Sequence, residues 1–398
     1  MERKILHSDA NAFYASVECV LNPDLKGKAV AVCGSQEERH GIVLAKSELA
    51  KRAGIKTGMT NWQAKRLCPE LVIVPPRHDI YAKFSEALHE IYIRYTDYVE
   101  PFGLDECWLD VTRSSRAPYD IAEDIRQTVK GELGLTVSVG VSFNKVFAKL
   151  GSDMKKPDAV TVITRDNFKD TVWRLPCSDM IYCGRATTEK LKKLGVRTIG
   201  ELARFPQDVL LKVFGKNGGK LWQNANGMDS DPVSRYDTCE QAKSVGHGVT
   251  CVADLVNAEE AGTVIVSLTQ EIGQKLRKMR LRARGVQVTV RDKDLSFESW
   301  QAQLETPTQS AAVLAAAGSE LLKKRYGWNK PIRALTVSAI RLESVDKPDQ
   351  LSLFQTDDKR ERVENTLDAI RSKFGDGAIR PATLLGESKL PPHGKNNL

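Results

Sequence analysis

The stretch Pro101–Asp110 sets two acids, Asp105 and Glu106, side by side between Phe102-Gly-Leu and the mostly apolar Cys107-Trp-Leu. That is the pattern of a hairpin with paired carboxylates beside its turn. Two adjacent charges among apolar residues restrict the fold, because each must reach water, a cation or hydrogen-bond donors. Asp in a hairpin turn is also ordinary turn chemistry. Taken alone, the pair is read either way.

A chain of 398 residues exceeds the roughly 250–300 residues over which a single core grows, so several units are expected. Ile5–Ser8 reads as a strand leading into Asp9, and Asn11–Cys19 as a helix. Residues 22–76 form a small α/β unit with a strand at Ala29–Cys33 and a helix at Ser47–Ala53. Strands and helices alternate to Thr164, with Val137, Val139 and Val141 marking a period-2 strand. From Arg165 to Thr238 the pattern turns helical, and the Thr187–Gly195 helix is closed by its glycine. Gln241–Glu343 then gives a strand, a long amphipathic helix with Val264, Leu268, Ile272 and Leu276 on one face, two strands (Val286–Arg291 and Ser296–Leu304), a helix near Gln309–Arg325 and a strand at Arg333–Leu342. Beyond Ser344 comes a polar linker, then a helix with Val363, Leu367, Ile370 and Phe374 on one face.

The 59 Lys and Arg against 51 Asp and Glu give a net charge of +8, which favours a polyanionic partner without naming one. The start of the chain has no apolar targeting stretch, and the longest apolar run, Ala311–Ala317, falls far short of the roughly 20 residues of a membrane span. A cytoplasmic protein without membrane contact is expected. Eight cysteines without a C-x-x-C pair and six histidines without ligand spacing indicate neither zinc nor disulfides, only reduced, mostly buried thiols.

Asp9 at a strand-to-helix junction changes the reading of the acid pair. Phosphoryl transfer with two divalent ions needs clustered hard oxygen ligands, because Mg²⁺ takes carboxylate and phosphate oxygens. Asp105 and Glu106 can supply two such groups and Asp9 a third, beside helix amides suited to a triphosphate. Capping the helix would equally satisfy Asp9. Further on, Ser142 reads as the cap of a helix carrying Lys145 and Lys149 on one face, with Lys156 just past its end, although a solvated lysine face fits the same spacing.

Taken together, Asp9 with Asn11–Glu18, Gly103-Leu-Asp-Glu with Leu109-Asp110, and Ser142-Phe-Asn-Lys with Ala148-Lys149 and Lys156-Pro157 resemble the three palm motifs of the Y-family, translesion-type DNA polymerases. The likeness runs from Met1 to about Phe354. It implies a multi-domain α+β right-hand polymerase: an α/β palm (1–20 and 77–165) with inserted fingers (21–76), a helical thumb (166–238), an α+β little finger (241–343) and a tail (344–398). It implies that Asp9, Asp105, Glu106 and the Ala10 carbonyl bind two Mg²⁺. Phe13 and Tyr14 would lie at the dNTP, with Tyr14 as a steric gate against the ribose 2′-OH, and Lys156 would hold the triphosphate. Primer-template DNA, dNTP and a sliding clamp are the implied partners of a monomeric enzyme of low fidelity without proofreading.

The fingers depart from the pattern: Glu48 and Lys51 stand where many relatives have Tyr and Arg, and Lys51 lacks the planar fork of Arg. Ile181–Gly195 resembles a helix-hairpin-helix offering amides to DNA phosphate, but Tyr182 replaces the usual first glycine and only Gly184 remains; an ordinary helical connection fits nearly as well. Lys275–Lys293 carries eight basic residues and one Asp. Arg282, Arg284 and Arg291 within it are read as a basic sheet edge tracking DNA phosphates, a solvated surface being the alternative. Gln350, Leu351, Leu353 and Phe354 resemble a clamp-binding peptide on a flexible tether; a short strand folding back is the competing reading. Two other classes share parts of this pattern: a DNA-binding accessory protein without chemistry, and a palm-type nucleotidyl cyclase.

Overall fold

The computed structural model describes residues 2–35, 41–238, 242–347, 357–375, 377–384 and 389–391. The chain divides into two compact units, the first formed by Met1–Cys33 with Val43–Cys239, the second centred on the residues after Glu240. Among the described residues no helix is long and apolar enough to cross a membrane. The described cysteines are free thiols, all buried except the half-buried Cys19; Cys239 lies outside the described residues.

In the first unit, β1 (Ile5–Ala10) leads to α1 (Phe13–Leu21), β2 (Val30–Cys33), β3 (Val43–Lys46), α2 (Glu48–Arg52), α3 (Asn61–Leu67), β4 (Val72–Val74) and α4 (His78–Ile93). Then follow β5 (Val99–Pro101), β6 (Glu106–Asp110), α5 (Pro118–Leu133), β7 (Val137–Ser142), α6 (Lys145–Met154) and β8 (Val160–Val162). The main sheet has the order β5-β6-β1-β7-β8, so β1 is central and pairs antiparallel with both β6 and β7. All six residues of β1 and of β7 are buried. The alternation expected at Val137, Val139 and Val141 is therefore absent. Ile121, Ile125 and Val129 of α5 share a core cluster with these valines, while α6 lies against Gly140 of the same strand. A strand covered on both faces keeps no solvent side.

The approach of α6 depends on two glycines. A Cβ on Gly140 would lie 1.9 Å from the Ala148 carbonyl oxygen and 2.5 Å from the Ser152 nitrogen, and one on Gly151 would lie 3.1 Å from the Gly140 Cα. Any side chain at Gly140 would push the helix off the sheet. The cap of α6 is Asn144, whose side chain accepts from the Phe147 amide; the expected cap, Ser142, is the last residue of β7 and donates to the Ile163 carbonyl. An Asn side chain one residue before the first turn reaches its amides, whereas Ser142 is still held in the ladder.

A smaller sheet of order β3-β2-β4 closes over Ala31, Cys33, Val43, Ala50, Ile55 and Leu71. The helical region consists of α7 (Phe168–Thr171), α8 (Arg185–Lys193), α9 (Ile199–Arg204), α10 (Gln207–Phe214) and α11 (Lys216–Ala225). Its core, including Leu191, Ile199, Leu202, Leu210 and Leu221, is continuous with Val146, Phe147 and Leu150 of α6.

The second unit runs β9 (Ser244–Leu255), α12 (Ala258–Lys278), β10 (Leu281–Asp292), β11 (Phe297–Thr308), α13 (Ala311–Arg325) and β12 (Ile332–Ser344), the element order expected from the sequence. Its antiparallel sheet, of order β11-β10-β12-β9, buries Val286, Val288, Val290, Leu335 and Val337 against Val264, Leu268, Ile272 and Leu276 of α12 and Leu314 of α13. α14 (Asp357–Phe374) follows, and its expected apolar face is realised only in the middle: Leu367 and Ile370 are half-buried, while Val363 and Phe374 are exposed. The helix also docks by charge: Arg277, on α12, donates to Asp368 at 2.6 and 3.0 Å and to Glu364 at 2.6 Å, and Ser310 donates to Glu364. Bidentate pairing to one guanidinium supplies the geometry that apolar packing would otherwise give.

Candidate active site

The antiparallel register sets Asp9 opposite Glu106 and His7 opposite Trp108. Side chains alternate along a strand, so His7 and Asp9 share the face of β1 on which α6 lies. The turn between β5 and β6 brings in Asp105, whose carbonyl accepts from the Ala10 amide at 2.9 Å. The three acids named from the sequence thus meet at one end of β1. Neither helix start nor cap holds Asp9: α1 begins at Phe13, behind Ala12 at φ 50°.

Two lysines neutralise the acids. Lys149 Nζ lies 2.6 Å from Glu106 Oε2, 3.2 Å from Asp9 Oδ2 and 3.3 Å from Asp153 Oδ2, with its side chain only 15% exposed. Lys156 Nζ lies 2.8 Å from both Asp9 Oδ2 and Asp153 Oδ1. The residue expected at a triphosphate therefore rests on one of the three acids. Lys145 belongs elsewhere: it pairs with Glu100 at 2.5 Å and lies over the Trp108 ring at 4.5 Å.

These contacts set the protonation of the cluster. Burial, reinforced by the charges of Asp9 and Glu106, pushes the Asp105 carboxyl up to about 6. Burial opposes ionisation of Glu106 as well, but hydrogen bonds from His7 and Lys149 outweigh it and hold that carboxyl at about 2. Burial works against the charge of Lys149 too; Glu106 and Asp9 reverse the balance and raise it. Among the described residues no three acid, imidazole or thiol groups stand as a ready-made metal cage. The donor set nevertheless fits a divalent cation: hard oxygens from two strands and a turn, one of them, Asp105, crowded by its neighbours' charge in a way that a cation would relieve.

Phe13 is buried and Tyr14 half-buried. The Tyr14 ring stacks on Tyr81, with centroids 4.1 Å apart and planes at 13°, and meets the edge of His78 at 5.8 Å. Tyr81 is fully buried and donates its hydroxyl to Glu18 Oε1 at 2.6 Å. Arg77 forks onto both oxygens of Glu18. A buried carboxylate with three donors is a rigid anchor, and it fixes the aromatic wall that carries Tyr14.

Other expected residues stand apart. Lys51 lies 3.6 Å from Glu48 on the same helix turn. Glu48 also lines a cavity of about 230 Å³ with Asn11, Ser16, Lys26, Gly134 and Thr136. In the hairpin before α8, Tyr182 takes the left-handed conformation (φ 68°) and exposes its ring, while Gly184 precedes the helix in extended backbone. The arginines require correction. β10 is flanked by β11 and β12, so Arg282, Arg284 and Arg291 lie on an interior strand and not on an edge. Arg282 donates to the Val345 carbonyl at 2.8 Å, Arg284 to Glu343 at 2.7 Å, and Arg291 lies over Phe297. Gln350, Leu351, Leu353 and Phe354 fall outside the described residues. Nothing in the sequence singled out His7 or Tyr81, and Glu18 stood out only as the last residue of the first motif. For Lys149 the sequence showed the helix face but not the acids beneath it.

Comparison with known proteins identifies the architecture. The model of the impB/mucB/samB family matches residues 8–153, that of the family's C-terminal domain matches 242–353, and a thumb-domain model described for DNA polymerase-iota matches 183–229. A DNA polymerase IV of Acetivibrio thermocellus is 47% identical over 396 residues, covering 98% of this chain and 99% of that one. Another, of Clostridium acetobutylicum, is 34% identical, covering 97% and 99%. Among solved structures, a Y-family DNA polymerase chimera superposes with a TM-score of 0.77 at 24% identity, over 85% of this chain and 98% of that one, which bears on the fold alone. The chain belongs to the Y family of DNA polymerases, with that family's palm, fingers, thumb and little finger, and its family-level activity is template-directed DNA synthesis of the translesion type. Within the family it is DNA polymerase IV-like.

Proposed function

We propose that this chain extends a DNA primer by deoxynucleotide transfer at the end of β1, with Asp9, Asp105, Glu106 and the Ala10 carbonyl holding two Mg²⁺. The observation that carries this reading is the cross-strand register of Asp9 and Glu106, with Asp105 tied to Ala10 in the adjoining turn. Bound there, the ions would supply charge neutralisation and a polarised 3′ oxygen. The protein's own groups position and neutralise, as phosphoryl transfer generally requires. Lys156, on a flexible stem beside Asp9, serves the incoming triphosphate as a point charge. Tyr14, backed by Tyr81, excludes a ribose 2′-OH by volume.

In this reading residues 1–20 and 77–165 are the palm, 21–76 the fingers, 166–238 the thumb and 241–343 the little finger. Gly184, Arg282, Arg284 and Arg291 serve DNA phosphates, Phe13 and Lys51 the nucleotide. Gln350, Leu351, Leu353 and Phe354 dock on the sliding clamp, and the enzyme works as a cytoplasmic monomer. Primer extension by the purified chain with Mg²⁺ and dNTPs, on intact and abasic templates, tests the chemistry. Extension abolished by Glu106→Ala, with DNA binding retained, is expected; DNA binding without extension by the unaltered chain would refute it. Tyr14→Ala should raise ribonucleotide incorporation by about tenfold or more, the effect of losing a contact worth roughly 1.4 kcal/mol.

A further inference from the structure

His7 is fully buried at the centre of the sheet, on the same face as Asp9, and nothing described so far gives it a task. Its ring is held on three sides. Trp108 meets it edge-on with centroids 5.2 Å apart. Its Nδ1 lies 2.9 Å from Ser152 Oγ, a contact made possible by the close seating of α6 on Gly140. Its Nε2 lies 3.3 Å from Glu106 Oε2, and neither of these two buried atoms has an aligned hydrogen-bond partner in this state.

The charge of Glu106 favours a proton on the second nitrogen. An Nε2 without one would set a lone pair beside a carboxylate oxygen deep in the protein, an oxygen that Lys149 Nζ neutralises from the other side at 2.6 Å. A proton on Nε2 would turn that contact into an attraction. The Ser152 hydroxyl has one proton for two acceptors, the Lys149 carbonyl at 2.7 Å and Nδ1 at 2.9 Å; with the imidazole neutral and protonated on Nε2, that proton goes to Nδ1 and holds the ring plane.

We propose that His7 is a positioning residue for the metal site: it donates Nε2–H to Glu106 Oε2 and, braced by Ser152 and Trp108, fixes that carboxylate in the orientation that receives the cation. The proposal rests on the reading that Asp9, Asp105 and Glu106 are the metal ligands. Lys149 occupies the same carboxylate oxygen at 2.6 Å and must yield to an arriving cation. His7 cannot move, because the sheet and α6 enclose it. It therefore keeps Glu106 in place while the ammonium leaves. Hydrogen-bonded support behind a ligating group commonly changes metal affinity by about 10- to 100-fold.

The test uses Mn²⁺ as the probe, its binding to the full chain with primer-template DNA followed by electron paramagnetic resonance. His7→Phe keeps a ring of similar size and removes the donor; His7→Gln restores an N–H near the Nε2 position. The expected result is Mn²⁺ affinity about tenfold weaker in His7→Phe and largely recovered in His7→Gln, with kcat for dNTP addition following the same order and KM for dNTP little changed. Unchanged Mn²⁺ affinity in a folded His7→Phe, or equal loss in both variants, would overturn it. If His7→Phe does not fold, Ser152→Ala, which frees the ring, is expected to weaken Mn²⁺ binding, and an unchanged affinity there would count against the proposal. Glu106→Ala separates the two levels: if it too leaves Mn²⁺ binding untouched, the ligand assignment fails and not merely the role of His7.

Discussion

Two basic stretches look alike in the sequence and behave in opposite ways in the structure. Lys145–Lys156 turns Lys145, Lys149 and Lys156 inward and leaves Lys155 exposed: the Lys149 side chain is 15% exposed and shared among Glu106, Asp9 and Asp153. Lys275–Lys293 exposes Lys278, Arg280, Arg284 and Lys293 and half-buries Lys275, Arg282 and Arg291; the Arg284 side chain is 44% exposed against Glu343, and that of Arg277 is buried under α14. The first set neutralises a cluster of acids that would otherwise repel one another, and losing a member leaves a buried charge without a partner. The second set is screened by water and salt, and its members are individually dispensable to the fold.

The contrast would break first at Lys149. Lys149→Met should lower the unfolding free energy of the metal-free protein by about 3 kcal/mol in urea titrations, whereas Arg284→Met should cost less than about 1 kcal/mol. Equal losses would erase the distinction.

Asp105 sharpens it from the acid side. Its carboxyl is pushed up to about 6, above the ordinary 3.8, so the folded state holds its proton more tightly than the unfolded chain does. That gain is present below the unfolded value and is lost as pH rises through about 6. Asp105→Asn should thus stabilise the metal-free protein by about 1–2 kcal/mol at pH 7.5, less than the full shift implies because solvent screens part of it. The benefit should shrink toward pH 4, while polymerisation is lost. Thermal melts across that range check the sign, and a benefit growing toward acid would contradict it.

The smallest effect is expected at the arginines. Replacing Arg282 or Arg291 by Gln should leave the melting temperature within about 2 °C, weaken DNA binding alike for all sequences and reduce the salt dependence of affinity by about one counterion each. A change in melting temperature without a change in salt dependence would make them structural.

The three acids were legible because residue type and chain position carry the chemistry directly: a strand running into Asp9, and a hairpin turn beside Asp105 and Glu106. The second unit was legible because Val264, Leu268, Ile272 and Leu276 recur at helical spacing and their burial is what the helix is for. What failed depended on contacts between distant segments. Nothing local distinguishes Lys149 from a solvated lysine; its burial follows from Gly140 and Gly151 letting α6 down onto the sheet. The arginine-rich start of β10 looked like an edge because charge usually marks one. Strand order is set by pairing with β11 and β12, which no single segment announces. The face of α14 was legible only at Leu367 and Ile370, because much of its docking is ionic, through Arg277, and apolar periodicity does not report ion pairs.

A double-mutant cycle on the metal-free protein tests the central claim, combining Lys149→Met with Glu106→Gln and reading unfolding free energies in urea. If the cations of α6 hold the acid cluster together, the two changes should be coupled by about 2 kcal/mol or more; additivity within about 0.5 kcal/mol would show that the lysine and the acid are independent and would contradict the account.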